Sequence, residues 1–207
     1  MSGRGPRWIS VKRRIKLGDM EPGTLVKLNE NGTPVEFYVA CHNYEAGLND
    51  NGRTLVVRKD CYDRRAFSSK KASYSTSSLD AFFVGTYFNL LDAGVREMVG
   101  TTKFYSTSAP TLERSVFQLS ATELTGATDA PKEGSILPIA SLLHVAYLNG
   151  STMSQWTRTP FTSFPGFVYR LDAAGNIGAM AYRENCGSRP AFTLPASTLV
   201  GDDLLIT

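Results

Sequence analysis

Two four-residue stretches, "NENG" at 29–32 and "NDNG" at 49–52, constrain this chain more than any other feature. Asn and Gly tolerate the backbone conformations that tight hairpin turns require, and both stretches are flanked by apolar runs. Val26 and Leu28 alternate with polar neighbours before the first turn, and Val35 to Val39 resume the strand after it. Asp50, Asn51 and Gly52 form the second turn, with Thr54 to Arg58 as the strand that follows. An antiparallel sheet therefore starts near residue 25. With 18 Gly, 10 Pro and 11% aromatic residues, the chain points to a loop-rich fold rather than a helical bundle. Its 207 residues suffice for one substantial domain, or for one domain with a small appendage.

The texture changes after the polar loop "SSKKASYSTSS", where Ser77 or Ser78 is placed to cap a helix. From Leu79 to Leu91, Leu79, Phe82, Phe83, Tyr87, Leu90 and Leu91 recur at helical spacing. Gly85 weakens that helix by about 1 kcal/mol relative to alanine. A second short helix is expected over Ala93–Val99, with Gly100 as its C-cap. "TTKFYSTS" reads as a strand and "ERSVFQLSATEL" as a strand plus turn. "GATDAPKEGS" reads as a loop, and "ILPIASLLHVAYLNGS" as either a short helix or an irregular apolar passage. A hairpin is expected from Phe167–Leu171 and Ile177–Tyr182 about a turn at 173–176. Alternation puts Phe167, Tyr169 and Leu171 on one face, and Val168 and Arg170 on the other. "SRPAFTLP" then reads as one closing strand. With no internal repeat, no heptads and no interdomain linker, the reading is a single α+β domain over 20–207.

Residues 1–19 read as a basic arm. The first sixteen residues carry six positive charges and no negative one, so the rest of the chain is net negative although the total is +3. The arm reads as a solvated or partner-docked tail, with a nucleic-acid or membrane-surface role as the weighed alternative. Charges interrupt its apolar residues, which does not fit a signal peptide, and no later window approaches a membrane span.

Catalytic vocabulary is sparse. Cys41, Cys61 and Cys186 lie far apart, with no CxxC and no Cys/His cluster, so structural zinc is not expected. His42 and His144 are the only histidines; adjacent Cys41 and His42 would point to opposite strand faces, and His144 reads as a hydrogen-bonded core residue. There is no G-x-S-x-G, no phosphate loop opening a helix, and no calcium loop with a later glutamate. A non-enzymatic chain without metal or cofactor is therefore the expectation. What remains is recognition. Phe161, Phe164, Phe167, Tyr169, Tyr182, Arg183, Glu184 and Asn185 stand between Trp156 and Gly187, rich in the aromatic and arginine residues that dominate binding hot spots. For Phe167 and Tyr169, packing in the closing sheet is an equal alternative.

The run "SLDAFFVGTYFNLL", "TTKFY", "QWTRTPF" and "GSRPAFTLP" resembles a family of uncharacterised domains (DUF6273-like) common in phages and prophages of gut Gram-positive bacteria. Trp156, Arg158 and Pro160 match that family's tryptophan/arginine/proline motif; Gly187, Arg189, Pro190 and Ala191 match its glycine-x-arginine-proline-alanine motif. The resemblance implies a C-type-lectin-like fold related to formylglycine-generating enzymes, with two helices on antiparallel sheets and an irregular, loop-rich C-terminal half presenting the binding face. It also implies a phage or prophage virion protein, made in the host cytoplasm, that binds a bacterial cell-surface protein or glycan through residues 161–185. Some proteins of that fold are diversified by retroelements. The weighed alternative is a structural tail or capsid-decoration subunit, docked through the basic arm to other virion subunits or to copies of itself. Since a buried arginine must satisfy five donors, Arg158 and Arg189, with Trp156, are expected as internal clamps at the two ends of 161–185. The copper-binding cysteine pair of the oxidases and the lectin-type calcium triplets are both missing from this sequence.

Overall fold

The computed structural model describes residues 14–206. Five antiparallel strands make the first sheet, in the order Leu25–Glu30, Thr33–His42, Arg53–Arg58, Pro190–Pro195, Phe117–Gln118. Its first hairpin turns through Asn31 and Gly32, both at positive φ, as the Asn-Gly pair predicts. The apolar run Leu55–Val57 lies at the centre of this sheet and is buried throughout, because both faces are covered.

The second sheet is ordered Ile177–Ala181, Phe167–Leu171, Gln155–Pro160, Asn185–Ser188, Asp63–Ala66. It departs from the all-antiparallel expectation, since Gln155–Pro160 and Asn185–Ser188 run parallel, with Gln155 beside Gly187. The single closing strand expected from "SRPAFTLP" is also corrected. Asn185–Ser188 belongs to the second sheet and Pro190–Pro195 to the first, so the chain changes sheets at Arg189. The expected hairpin forms between Phe167–Leu171 and Ile177–Ala181, with the Asp172 carboxylate accepting from the Ala174 and Asn176 amides in its turn.

The helical stretch 78–90 starts at Ser77, whose hydroxyl accepts from the Asp80 amide. Its fully buried apolar residues Leu79, Phe83 and Tyr87, with Leu91 just after it, are spaced by four. An ordinary helix would rotate each such step by about 40° off the core. The segment Phe82–Tyr87 winds more widely, with i→i+5 bonding, which keeps Tyr87 on the buried side with Phe83, and Leu91 follows in extended backbone. Tyr87 then donates to Glu30, which also pairs with Arg58, fastening helix to sheet.

The next helix covers Ala93–Met98. Gly100 does not cap it. Instead Gly100 bridges to Thr193, and a Cβ there would displace the Arg53 guanidinium, which donates to the Met98 and Thr193 carbonyls. The segment expected as a strand plus turn forms the short strand Phe117–Gln118 and then a helix, Ala121–Thr125. Ser120 and Glu123 build a reciprocal capping box at its start, and Gly126 closes it at φ 65°. A further short helix, Ala140–Leu143, and a small hairpin, Ala146–Leu148 with Ser151–Met153, precede the strand Gln155–Pro160 of the second sheet.

The arm expected over 1–19 lies largely outside the described residues. Within them, Ile15–Lys16 pairs with Leu199–Val200 and Leu17 is fully buried, so residues 15–17 belong to the folded body. The architecture is α+β, two five-stranded sheets with short helices sharing one core. Among the described residues no helix is long and apolar enough to cross a membrane.

Candidate ligand-binding groove

The strand Gln155–Pro160 is buried from Gln155 to Thr159, polar side chains included. Each of those polar groups has a partner, as burial requires. The Trp156 indole N–H donates to the Arg65 carbonyl at 2.9 Å. Thr157 donates to the Tyr169 carbonyl at 2.8 Å and Thr159 to a Glu133 carboxylate oxygen at 2.6 Å. Arg158 is 0% exposed and forks onto Glu123, with N···O distances of 2.7 and 2.9 Å. Its remaining donors reach the carbonyls of Tyr105, Gln118 and Glu133, and its guanidinium lies 4.5 Å from the Phe104 ring centroid. Burial opposes the charge on Arg158, but Glu123, Tyr44 and Glu133 outweigh it and raise its pKa above the ordinary arginine value.

Arg189 is buried as well, and among the described residues no carboxylate pairs with it. It donates to the carbonyls of Arg58, Lys59 and Leu143, and to the Gln155 amide oxygen. Burial lowers its pKa accordingly. Gln118 ties the two motifs together: its amide nitrogen donates to the Trp156 carbonyl at 2.7 Å, and its amide oxygen accepts from the Arg189 backbone at 3.1 Å. Neither guanidinium hydrogen-bonds to any residue of 161–185. Arg158 and Arg189 hold the strand that enters the segment and the sheet-to-sheet step that leaves it, rather than the segment itself.

Between these anchors the chain is open. Phe161 donates its amide to the Phe167 carbonyl at 3.0 Å, closing a turn whose tip carries Phe164 at 60% exposure. Gly166 has φ 92°, and its carbonyl accepts from the Tyr182 amide at 3.1 Å. Ser68 in turn donates to the Tyr182 carbonyl, drawing the polar loop after residue 68 alongside. The result is a groove of about 500 Å³ with Phe161, Phe167 and Tyr182 among its walls. Pro160, Pro165 and Lys71 also line it.

The eight expected contact residues divide. Phe161, Phe167 and Tyr182 meet in the groove, and Phe164 stands at its lip, edge-on to Phe167 with centroids 5.0 Å apart. Tyr169 does not join them. It is 8% exposed, packs edge-on against Phe161, and donates its hydroxyl to the Asp129 carbonyl at 3.1 Å. Arg183 is exposed and lies 5.4 Å from the Tyr182 ring centroid. Glu184 and Asn185 are exposed but line no part of the groove; Asn185 pairs with Ala66 as a strand residue.

The model of the family described as Domain of unknown function (DUF6273) matches residues 51–196, more than half of the chain. The chain belongs to the DUF6273 family. The matched stretch holds both arginine motifs and every groove residue, while the strands Leu25–Glu30 and Thr33–His42 fall outside it. No curated protein and no solved structure matches the chain.

Within this DUF6273 domain the loop side of the groove, Lys71, Ala72 and Ser73, escaped sequence reasoning, as did Pro165. "SSKKASYSTSS" is legible only as a polar loop, and nothing local ties it to an aromatic segment about ninety positions later. A second hollow of about 520 Å³ borders the same loop, lined by Ser75, Thr76, Thr101, Ser115, Asp80 and Arg114 among others. Its charged groups are already paired: Arg114 forks onto Asp80 at 2.8 and 2.9 Å, and Glu113 pairs with Lys103 at 3.3 Å. Elsewhere His42 bridges Thr54 and the Met20 carbonyl, each at 2.9 Å, and His144 reaches the Leu124 carbonyl at 2.8 Å. Burial pushes the thiol of Cys41 up to about 12, and those of Cys61 and Cys186 to about 11, so all three stay protonated at neutral pH. Among the described residues no cluster of His, Cys, Asp and Glu is arranged to hold a metal.

Proposed function

We propose that this DUF6273 chain is a non-enzymatic recognition domain of a phage or prophage virion, built on a C-type-lectin-like plan. It binds a bacterial cell-surface protein or glycan through the groove formed by Phe161, Phe167 and Tyr182. The observation that carries the reading is the contrast along the chain: a rigid buried strand at 155–159, then three aromatic rings and two prolines converging on an open hollow. Binding surfaces of this kind combine stiff aromatic contact area with a scaffold that holds it in place. The lectin-like plan is supported by the two-sheet core and by the loop-rich passage 161–166 on its rim. If a retroelement diversifies the chain, substitutions in the source population concentrate on 161–168 and 182–184, leaving Arg158 and Arg189 fixed.

The test is adhesion of the purified chain to whole Gram-positive bacterial cells, beside a Phe161→Ala/Tyr182→Ala variant whose thermal unfolding is checked. Loss of adhesion in the folded variant supports the reading, and undiminished adhesion sinks it. The exposed Phe164 favours a second reading, a structural virion subunit with this lip at a subunit contact. On that reading the native chain assembles in solution and Phe164→Ser makes it monomeric.

A further inference from the structure

We infer that the ligand of the groove is an anionic glycan, with sugar rings stacked on the aromatic walls and acidic groups held at the Lys71 side. The inference rests on the recognition reading above and narrows it to a ligand chemistry.

Three observations lead there. The first is charge. Lys71 lines the groove, Lys70 beside it is exposed, and Arg183 lies over the Tyr182 ring. Among the described residues none of these three cations forms an ion pair, whereas seven other lysines and arginines do. No carboxylate among the described residues lines the groove: of the two in 161–185, Glu184 stands outside it beside Arg183, and Asp172 is engaged in the turn of the hairpin. A groove with low-dielectric walls and uncompensated positive charge at its edge concentrates anions.

The second is the state of the backbone. The Phe161, Phe167 and Tyr182 amides are already donated within the loop, and Pro160 and Pro165 have no amide hydrogen to give. An extended peptide bound by strand addition needs free main-chain partners, and these walls supply few. What they supply instead is ring surface.

The third is the set of unused polar side chains. The Tyr182 hydroxyl, the Thr162 hydroxyl and the Lys71 ammonium make no hydrogen bond among the described residues, yet all three residues line the hollow. Apolar faces with a few convergent donors and acceptors fit a molecule that is apolar on its ring faces and hydroxylated at its edges. Sugars have that form, and the cations select those carrying an acid.

The full chain is tested against four immobilised polymers: polygalacturonate, a polyol-phosphate teichoic acid carrying glycosyl substituents, neutral dextran and polyglutamate. Binding is expected to one or both acidic glycans, the pair separating carboxylate from phosphate as the acid recognised. That binding weakens with salt and falls at least about tenfold in Lys70→Ala/Lys71→Ala, as lost charge-assisted hydrogen bonds imply. The Lys70→Arg/Lys71→Arg variant retains most of it. Since both lysines are exposed, unfolding temperature stays unchanged in either variant. Equal binding to dextran, or preference for polyglutamate, overturns the inference. Adhesion to cells through the groove without affinity for either acidic glycan also overturns it but leaves the recognition reading standing. With no adhesion to cells and no polymer bound, both fall.

Discussion

Arg158 and Glu123 form a bidentate ion pair with both side chains fully buried, 35 residues apart in sequence. Glu123 is simultaneously the capping residue of the Ala121–Thr125 helix, accepting from the Ser120 amide at 2.7 Å, and it also accepts from the Tyr44 hydroxyl. One carboxylate therefore joins a strand of the second sheet, a helix start and the end of the first long hairpin.

Removing one partner leaves an uncompensated buried charge. Arg158→Leu or Glu123→Gln is expected to cost about 3–5 kcal/mol, while the double variant costs less than the sum. Urea unfolding followed by circular dichroism measures all three. Additive losses would mean that the pair is not coupled.

Gly187 explains a glycine in the second motif. A Cβ there would lie 2.2 Å from the Cys61 sulfur and 3.0 Å from Met153. Gly187→Ala should destabilise the fold by about 2 kcal/mol or more through overpacking. Adding Cys61→Ala should recover part of that loss in the same unfolding assay, because it removes the nearest atom.

The thiols and buried phenols set an alkaline limit. Burial is the first cause of the raised pKa of Cys41, Cys61 and Cys186, and of Tyr44, Tyr74 and Tyr87. An unfolded chain releases the cysteine protons near 9.0, whereas the folded chain keeps them until about 11 or 12. The stabilisation is therefore complete below pH 9 and lost as pH rises toward 11. Unfolding midpoints should hold level from pH 8 to about 9 and then fall as pH rises to 11. At pH 8, alkylation of native Cys61 and Cys186 should run roughly a hundredfold slower than in the unfolded chain.

Phe164 gives the cleanest separation of stability from binding. With its side chain mostly in solvent, Phe164→Ser should shift stability by no more than about 0.5 kcal/mol. An effect on cell adhesion or on assembly would then come from contact and not from misfolding. A large fall in thermal stability would instead mean that the lip is part of the core.

Local rules read well where the determinants were local. The Asn31–Gly32 turn, the Ser77 cap and the Asp172 turn each depend on side chains within a few positions, and each element appears where the pattern puts it. The capping box at Ser120 and Glu123 was equally local, yet the alternating residues before it drew the reading toward a strand. Gly100 misled because a glycine after a helix can cap it or can make room for a neighbour. Only the approach of Arg53, 47 positions earlier, decides which.

The candidate site divides in the same way. The sequence by itself marked the two arginine motifs and placed aromatic residues between them, because residue types in a short window carry that information. Which rings line the groove was decided by tertiary structure. Tyr169 turns inward because Asp129 offers its hydroxyl a partner, while Tyr182 turns to the groove because Gly166 and Ser68 fix its backbone. The lysine side of the groove comes from a loop folded alongside by contacts across more than a hundred residues. Such contacts depend on how two sheets stack, and that packing is a property of the whole chain.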